Sequence, residues 1–312
     1  MSNSPQSVRY SVVIPIYNEE PVLEELYNRL TVVLDDIGGS YELLFVDDGS
    51  GDGSIELLRA IHQRDSRVKV ISFTRNFGHH LAITAGLDHC RGEAVILMDG
   101  DLQDQPEEIP ALIEKFQEGY DVVYAIRKER KDRPLYRWSS QALMALVGRA
   151  MRHRFPISAG IFRVISRQVV EALKTCRETD RFIIGMIDWL GFKQVGVDVS
   201  HGQRFAGPVK YSLRKRFSLA LNMVTTFTYY PLRFATFLGF GFAFLSFFYG
   251  VYLIVRKLLY GYPIMGYAST MVSILFIGSV QLVVLGILGE YLGRVFRASQ
   301  NRPLYVVQDM LE

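Results

Sequence analysis

Much of what marks the large soluble classes is scarce in this chain. Its 312 residues hold two cysteines, Cys90 and Cys176. They lack metal-ligand or redox spacing, which excludes a disulfide framework and reads as two reduced thiols on a cytosolic face. Net charge is also small, +3 from 35 Lys+Arg against 32 Asp+Glu, so the overall balance calls for no nucleic acid as partner. Residues 1–10 are polar and hold no apolar core, so no cleavable signal peptide is expected. There is no Walker-type Gly-Lys-Ser/Thr. The glycine-rich run Gly49-Ser50-Gly51-Asp52-Gly53 lacks a third spaced glycine and follows the second apolar stretch rather than the first, so it is not a dinucleotide fingerprint. Repeats and low-complexity tracts are missing, and His62, His89, His153 and His201 form no metal spacing and read as structural.

What is present is apolar and periodic. Hydrophobic residues make up 49% of the chain and its mean hydropathy is +0.13, high for a soluble enzyme. Its length suits roughly two domains of about 150 residues each. Ser11–Pro15, Leu43–Val46, Val68–Phe73, Ala94–Met98 and Asp121–Tyr124 read as buried strands. Between them, Leu23, Leu26, Tyr27, Leu30, Leu34 and Ile37 recur at helical spacing before Gly38-Gly39. Further helices are expected through Ile55, Leu58 and Ile61, over Gly78–Cys90, and from Pro106 through Phe116. Strands alternating with such helices predict an α/β fold with a mostly parallel sheet covered on both faces.

Three of these strands end in conspicuous polar groups: Pro15-Ile16-Tyr17-Asn18-Glu19, Asp47-Asp48-Gly49-Ser50, and Asp99-Gly100-Asp101-Leu102-Gln103-Asp104. Each alone reads equally well as a solvated turn. Together they would line one edge of one sheet, where ligands of open α/β sheets collect. If the extended geometry of the fourth strand persists, Asp99 and Asp101 share a face. Two hard oxygen donors there suit Mg2+ or Mn2+ held against a diphosphate. A carboxylate at the second strand end has the chemistry to accept hydrogen bonds from a base N–H or ribose hydroxyls. His79-His80 read as a surface pair at a helix start, with a substrate contact as the alternative.

After Ala125 the composition changes. Arg127, Lys128, Arg130, Lys131, Arg133 and Arg137 crowd a short span beyond the acidic edge, followed by Arg149, Arg152 and Arg154. A run of this kind is a solvated face or an anion site. Later, Phe234–Val255 gives 22 residues without a charge and Pro263–Gly289 gives 27, each beyond the roughly 20 needed to cross a bilayer core. Lys210, Arg214, Lys215, Arg216 and Arg233 precede the first run and Arg294, Arg297 and Arg302 follow the second, while only Arg256 and Lys257 lie between. This bias puts both ends in the cytoplasm. Phe217–Tyr230 is suited to lie along a membrane surface. Gly239, Gly241, Gly286, Gly289 and Gly293 are read either as contacts that let the spans pack closely or as lipid-facing filler.

Pro15–Glu19, Phe45–Ser50, Arg75-Asn76-Phe77-Gly78 and Asp99–Asp104 closely resemble the GT-A-type family 2 glycosyltransferases. With the two spans, Gly289-Glu290-Tyr291-Leu292-Gly293-Arg294 and Asn301-Arg302-Pro303-Leu304-Tyr305 are similar to the polyprenyl-phosphate glycosyltransferases. That group includes the bactoprenol glucosyltransferases of O-antigen modification and the aminoarabinose-transferring enzymes of lipid A modification; dolichyl-phosphate mannose synthases are more distant. The resemblance runs from Ser11 to Tyr305 and does not specify the sugar.

The resemblance implies a Rossmann-like GT-A catalytic domain over 1–210, a juxtamembrane amphipathic segment over 211–231, two transmembrane helices within 232–293 (about 234–255 and 267–289) and a cytoplasmic tail over 294–312. It further implies an inverting transfer of a sugar from a UDP-sugar to undecaprenyl or another polyprenyl phosphate, in the bacterial inner membrane, by a homo-oligomer of four chains. Pro15, Tyr17, Asn18, Glu19, Asp47 and Asp48 would hold the nucleoside, with Asp99 and Gly100 beside ribose and diphosphate. Asp101 and Gln103, with Asp99, would ligate Mg2+ or Mn2+. Arg127, Arg163 and Lys210 would meet the lipid phosphate, arginine because its fork matches phosphate oxygens.

Two positions depart from the family pattern. Gly160-Ile161-Phe162-Arg163 stands where relatives usually carry Gly-Asp-Phe-Arg, and Val209-Lys210-Tyr211 where Ser-Lys-Tyr is common. Ile161 removes a carboxylate, which opens a second reading: a nucleotide-sugar-binding scaffold of the same fold. A processive polysaccharide synthase would need a Gln-x-x-Arg-Trp motif and more spans, and neither is present.

Overall fold

A computed structural model describes residues 8–127, 159–179, 181–199, 230–260 and 266–312. The chain divides into two units. One contains the strands, including the return segment Arg302–Glu312; the other contains the two long apolar helices.

In the first unit the described elements run β1 (Tyr10–Ile16), α1 (Glu20–Ile37), β2 (Tyr41–Asp47), α2 (Ser54–Arg64), β3 (Val68–Phe73), α3 (His79–His89), β4 (Ala94–Leu97), a 3-10 turn (Pro106–Glu108), α4 (Ile109–Gln117) and β5 (Val122–Arg127). After these come β6 (Ala159–Ser166), α5 (Arg167–Thr175), α6 (Ile183–Leu190) and β7 (Gln194–Val199), and the chain closes with β8 (Val307–Leu311). One sheet orders them β7-β5-β6-β4-β1-β2-β3-β8. The pairs β1–β2, β1–β4, β2–β3 and β5–β7 are parallel, while β6 runs antiparallel to both neighbours and β8 antiparallel to β3.

Alternation along the strands sorts side chains between two covered faces. Val12, Ile14 and Ile16 of β1 join Leu23, Leu26, Leu30 and Leu34 of α1, Leu58 of α2 and Leu112 of α4. Val13 of β1 and Val95 and Leu97 of β4 face the other way, to Ile83 and Leu87 of α3, Val169 of α5 and Ile187 of α6. The helical stripe anticipated in α1 is thus its buried face, and Gly38 ends that helix at φ +73°, where a side chain would be strained. A smaller cluster of Val46, Ile71, Phe73, Ala82 and Ala85 lies behind the β2 end, with Phe77, Tyr305 and Val307 packed against it.

The sheet is more mixed than the five expected strands suggested, because β6 and β8 add three antiparallel pairs, while β7 adds a parallel one. Residues 302–312, expected as tail, supply the edge strand β8. In the second unit, α7 (Tyr230–Tyr260) and α8 (Tyr267–Ser299) span 31 and 33 residues. Both are long and apolar enough to cross a membrane, and their hydrophobic windows are unburied in the chain itself. Phe242 meets Phe276 edge-on at 5.3 Å between ring centroids. A Cβ added at Gly239, Gly241, Gly286, Gly289 or Gly293 would meet nothing within 4 Å, so these glycines do not make a tight helix crossing within one chain. Lys210, the basic cluster of residues 128–154 and the segment 211–229 lie outside the described residues.

Candidate active site

The β1 and β2 ends are joined by a dense set of hydrogen bonds. The Asp48 N–H donates to the Ile16 carbonyl at 2.8 Å. The Asn18 N–H donates to Ser50 Oγ at 3.0 Å, and the Gly51 N–H to Asn18 Oδ1 at 2.8 Å. Asn18 itself sits at φ +55°, a conformation asparagine tolerates better than most residues. The Glu19 N–H donates to Ser54 Oγ at 3.1 Å and the Gly53 N–H to Glu20 Oε2 at 2.9 Å. Tyr17, by contrast, holds its ring out at 49% exposure, available for stacking against a planar ligand.

Asp47 and Asp48 point inward, 2% and 3% exposed. Asp47 accepts from the Ser50 N–H and from Ser72 Oγ, both at 3.2 Å. Asp48 accepts from the Phe77 N–H at 2.7 Å and the Gly78 N–H at 2.9 Å. Burial raises the Asp48 pKa above its ordinary value despite those two bonds, which favour the anion. Through them the loop between β3 and α3 is fastened over the β2 end. Gly49 makes that crossing possible: it has φ +70°, and a Cβ there would lie 2.5 Å from the Arg75 carbonyl carbon.

At the β4 end the expected extended geometry does not persist. The strand stops at Leu97, and a turn takes over at Gly100 with Leu102 at φ +60°. The Asp101 Oδ1 accepts from the Gln103 N–H at 3.0 Å, and the Asp99 N–H donates to Asp104 Oδ2 at 3.5 Å. Leu102 is 3% exposed within the main core, so burial of its side chain holds the loop in a backbone conformation that costs a non-glycine residue about 1–3 kcal/mol. A Cβ on Gly100 would lie 2.5 Å from Ile16 Cδ1 and 3.2 Å from the Pro15 carbonyl oxygen, so a side chain there would make Ile16 shift and press on the β1 backbone.

Both acids of this loop address one histidine. His79 Nε2 lies 3.4 Å from Asp99 Oδ1, and Asp101 pulls the His79 pKa upward against burial, which lowers it overall. The convergence expected from strand pleating is therefore supplied by a loop folded against the start of α3. His79 is the exposed first residue of α3, as expected of a helix-start surface residue, and it lies beside the Asp99–Asp101 loop. His80 turns away to meet Phe182 edge-on at 5.3 Å, and burial, with help from His79 and Arg181, pushes its pKa down to about 4.

Among the described residues no group of three or more His, Cys, Asp or Glu side chains is arranged to hold a metal ion alone. Asp99, Asp101 and Gln103 are nonetheless hard oxygen donors on one short loop. That set fits an ion of the Mg2+ or Mn2+ type, which binds through one or two carboxylates and completes its shell with water and substrate phosphates.

The cations expected at an acceptor phosphate are placed differently. Arg127 is the last residue of β5, at the same edge as the β4 end. Arg163 is 2% exposed. It lies in register between Leu97 of β4 and Tyr124 of β5, and its guanidinium donates to the Gly160 carbonyl at 2.6 Å and the Ile161 carbonyl at 3.3 Å. Burial lowers its pKa to about 10 against the pull of Asp188 and Tyr124. In this conformation Arg163 braces β6 from within and offers no accessible fork. Ile161 is 4% exposed in the apolar cluster with Ile83, Leu97 and Ile187.

Two family models match the chain: "Glycosyl transferase family 2" over residues 11–174 and "GtrB C-terminal hairpin" over 230–295. The chain belongs to glycosyl transferase family 2. An uncharacterized glycosyltransferase of Bacillus subtilis, YkcC, is 42% identical over 96% of this chain and 94% of its own length. A bactoprenol glucosyl transferase of Shigella phage SfV is 39% identical over 97% of this chain and 99% of its own. An undecaprenyl-phosphate 4-deoxy-4-formamido-L-arabinose transferase of Shewanella sediminis is 39% identical over 96% of this chain and 92% of its own. Among solved structures, glucosyl-3-phosphoglycerate synthase of Mycobacterium tuberculosis, in complex with Mn2+, UDP and phosphoglyceric acid, superposes with a TM-score of 0.53 at 21% identity, over 70% of this chain and 77% of the other. It shares the fold. As a family 2 glycosyltransferase the chain is a glycosyl-transfer enzyme with a GT-A sheet, as its motifs indicated.

Sequence reasoning missed the partners of these residues. Ser72, which donates to Asp47, carries no motif of its own, and the Arg75–Gly78 motif gave no sign that its Phe77 and Gly78 amides hold Asp48. The position of His79 was signalled only by its place after the Arg75–Gly78 turn.

Proposed function

We propose that this family 2 glycosyltransferase moves a sugar from a UDP-sugar to a polyprenyl phosphate at the cytoplasmic face of a bacterial inner membrane. The supporting observation is full-length similarity, hairpin included, to relatives named for bactoprenol and undecaprenyl phosphate. The basic flanks of the two apolar helices support a cytoplasmic catalytic unit.

In this reading the exposed Tyr17 stacks on the uracil, and Pro15, Asn18 and Glu19 line the nucleoside site over the scaffold that Asp47 and Asp48 hold. Asp99 and Gly100 lie at ribose and diphosphate; the glycine allows close approach of the backbone. Asp101 and Gln103, with Asp99, would hold a divalent ion, which when bound would neutralise charge on the departing diphosphate. Arg127 and Lys210 receive the acceptor phosphate, and Arg163 holds β6 through the Gly160 and Ile161 carbonyls. An acceptor phosphate oxygen forms a bond to the anomeric carbon as the bond from that carbon to the UDP oxygen breaks on the opposite side, inverting the centre. The attacking oxygen is already ionised at neutral pH, so no strong general base is required. Ile161, buried in the core, supplies none. Positioning and electrostatics carry the acceleration.

The test is UDP release by the purified full-length protein given undecaprenyl phosphate, Mn2+ and a panel of UDP-sugars. Turnover with one donor, and a lipid product heavier by that glycosyl group, is the expected result. UDP binding that depends on Mn2+ but yields no turnover with any donor would overturn the catalytic reading in favour of a nucleotide-binding scaffold.

A further inference from the structure

The motif Asn301–Tyr305 has no part in the transfer just described, yet it starts the segment that re-enters the sheet. Seven residues, 300–306, separate the end of α8 from β8. β8 then pairs with β3, setting Asp309 opposite Ser72 and Val307 opposite Phe73, and the Thr74 N–H donates to the Val306 carbonyl at 3.1 Å. Just before β8, the Tyr305 ring stacks on Phe73 at 5.1 Å and 17°, and its hydroxyl donates to Asp88 Oδ2 at 2.8 Å. Arg177 grips the same carboxylate through both oxygens, at 2.8 and 3.0 Å.

These contacts lie behind the donor corner. Phe73 meets Phe77 edge-on at 5.6 Å, and the Phe77 N–H is a donor to Asp48. Ser72, next to Phe73, donates to Asp47. Asp88 lies near the far end of α3, the helix that opens with His79, and Ala82 and Ala85 of that helix share the cluster against which Tyr305 and Val307 pack. The Ser72 hydroxyl and the Phe77 amide that hold Asp47 and Asp48, and the helix that opens with His79, are therefore braced by residues that follow the second apolar helix.

We infer that Tyr305 is a positioning residue for donor binding, and that segment 302–312 is a strap connecting the apolar hairpin to the nucleotide corner. The inference rests on the reading of that corner as the UDP site. It excludes the tail as a passive terminus: loosening the strap frees the loop between β3 and α3 and weakens the nucleotide while leaving the acceptor cations untouched.

The experiment is calorimetric titration of UDP, with Mn2+ present, into the full-length protein in detergent. Tyr305→Ala is expected to weaken UDP about tenfold or more at unchanged stoichiometry, and Tyr305→Phe, which keeps the stacked ring, recovers most of that loss. In turnover assays the donor KM rises in Tyr305→Ala while the polyprenyl-phosphate KM stays put. A variant that merely misfolds in part would instead lower the stoichiometry and leave the affinity of the remaining protein unaltered; that result, or a UDP affinity within twofold of wild type, overturns the strap. If Tyr305→Ala does not fold, Phe73→Leu, which removes the stacking partner but keeps an apolar side chain, carries the same expectation. Wild-type protein that does not bind UDP at all would sink the donor-corner reading and the strap together, so the two failures are told apart.

Discussion

At the β2 end Asp47 and Asp48 are almost fully buried, and each accepts two hydrogen bonds from its own chain. At the β4 end Asp99 and Asp101 are partly exposed, sit on a turn, and share a histidine. Both pairs occupy the same edge of the same sheet, and residue type alone does not distinguish them. The difference is in what satisfies them. A buried carboxylate saturated by backbone amides and hydroxyls holds loops together and has little capacity left for a ligand. A carboxylate on a partly exposed turn suits a hydrated cation and the diphosphate it accompanies. In the proposed reading one acidic corner is architecture, and the other is chemistry.

The strongest way to break that contrast is a conservative change in each pair. Asp101→Asn keeps shape and removes charge. Turnover should fall by about a hundredfold to a thousandfold, the scale on which loss of an electrostatic stabiliser is felt, with the thermal unfolding midpoint unchanged. Near-normal UDP release by Asp101→Asn would remove the metal assignment. Asp48→Ala should do the reverse. It leaves the Phe77 and Gly78 amides without their acceptor, a cost of about 1–3 kcal/mol per buried unsatisfied group, so the unfolding midpoint drops by several degrees and donor affinity falls secondarily. If Asp48→Ala lost activity with no loss of stability, Asp48 would be a ligand contact and the contrast would fail.

A smaller effect is expected at His79, which belongs to neither pair but faces Asp99. His79→Gln retains a polar group of similar reach, and a reduction in kcat of about tenfold corresponds to ~1.4 kcal/mol of transition-state stabilisation. Comparison with His79→Ala in the same UDP-release assay separates hydrogen bonding from packing; equal rates in both variants and wild type would place His79 outside the site.

The sheet's central strands were legible because their signal is local. β1, β2 and β4 are continuous apolar runs closed by polar residues, and α1 carries its buried stripe at helical spacing. The acidic edge was legible for the same reason: each cluster directly follows a run that has to be buried. β6 was not, since Arg163 interrupts its apolar pattern and its partners on either side lie far away in sequence. β8 is short, with a charged Asp309 and alternate residues exposed, and gains strand character only by pairing with β3. The different fates of Asp47–Asp48 and Asp99–Asp101 were also hidden, because they depend on amides contributed by Phe77, Gly78 and Gln103 in loops whose course is set by tertiary packing. Arg163 shows the same limit. As a residue type it suits a phosphate, but its neighbours Ile161 and Ile165 face the apolar cluster under α5 and α6, and the strand's alternation carries the arginine to that face too.

The weakest expected effect is a pH slope, and it bears on the same contrast. Burial raises the Asp48 pKa above its ordinary value, the Phe77 and Gly78 amides pulling the other way. A raised pKa means the folded protein holds this proton more tightly than the unfolded chain does. The stability it contributes is then fully present below the ordinary carboxylate value of about 4 and is lost as pH rises through the raised value. Asp48→Asn carries no titrating proton at that position, so its unfolding midpoint should vary less than wild type between about pH 4 and pH 7. Asp101→Asn should leave the wild-type slope in place. Identical slopes in wild type and Asp48→Asn would mean that the Asp48 carboxylate is held by its two amides as firmly as water held it, and burial would then no longer separate the two acidic corners.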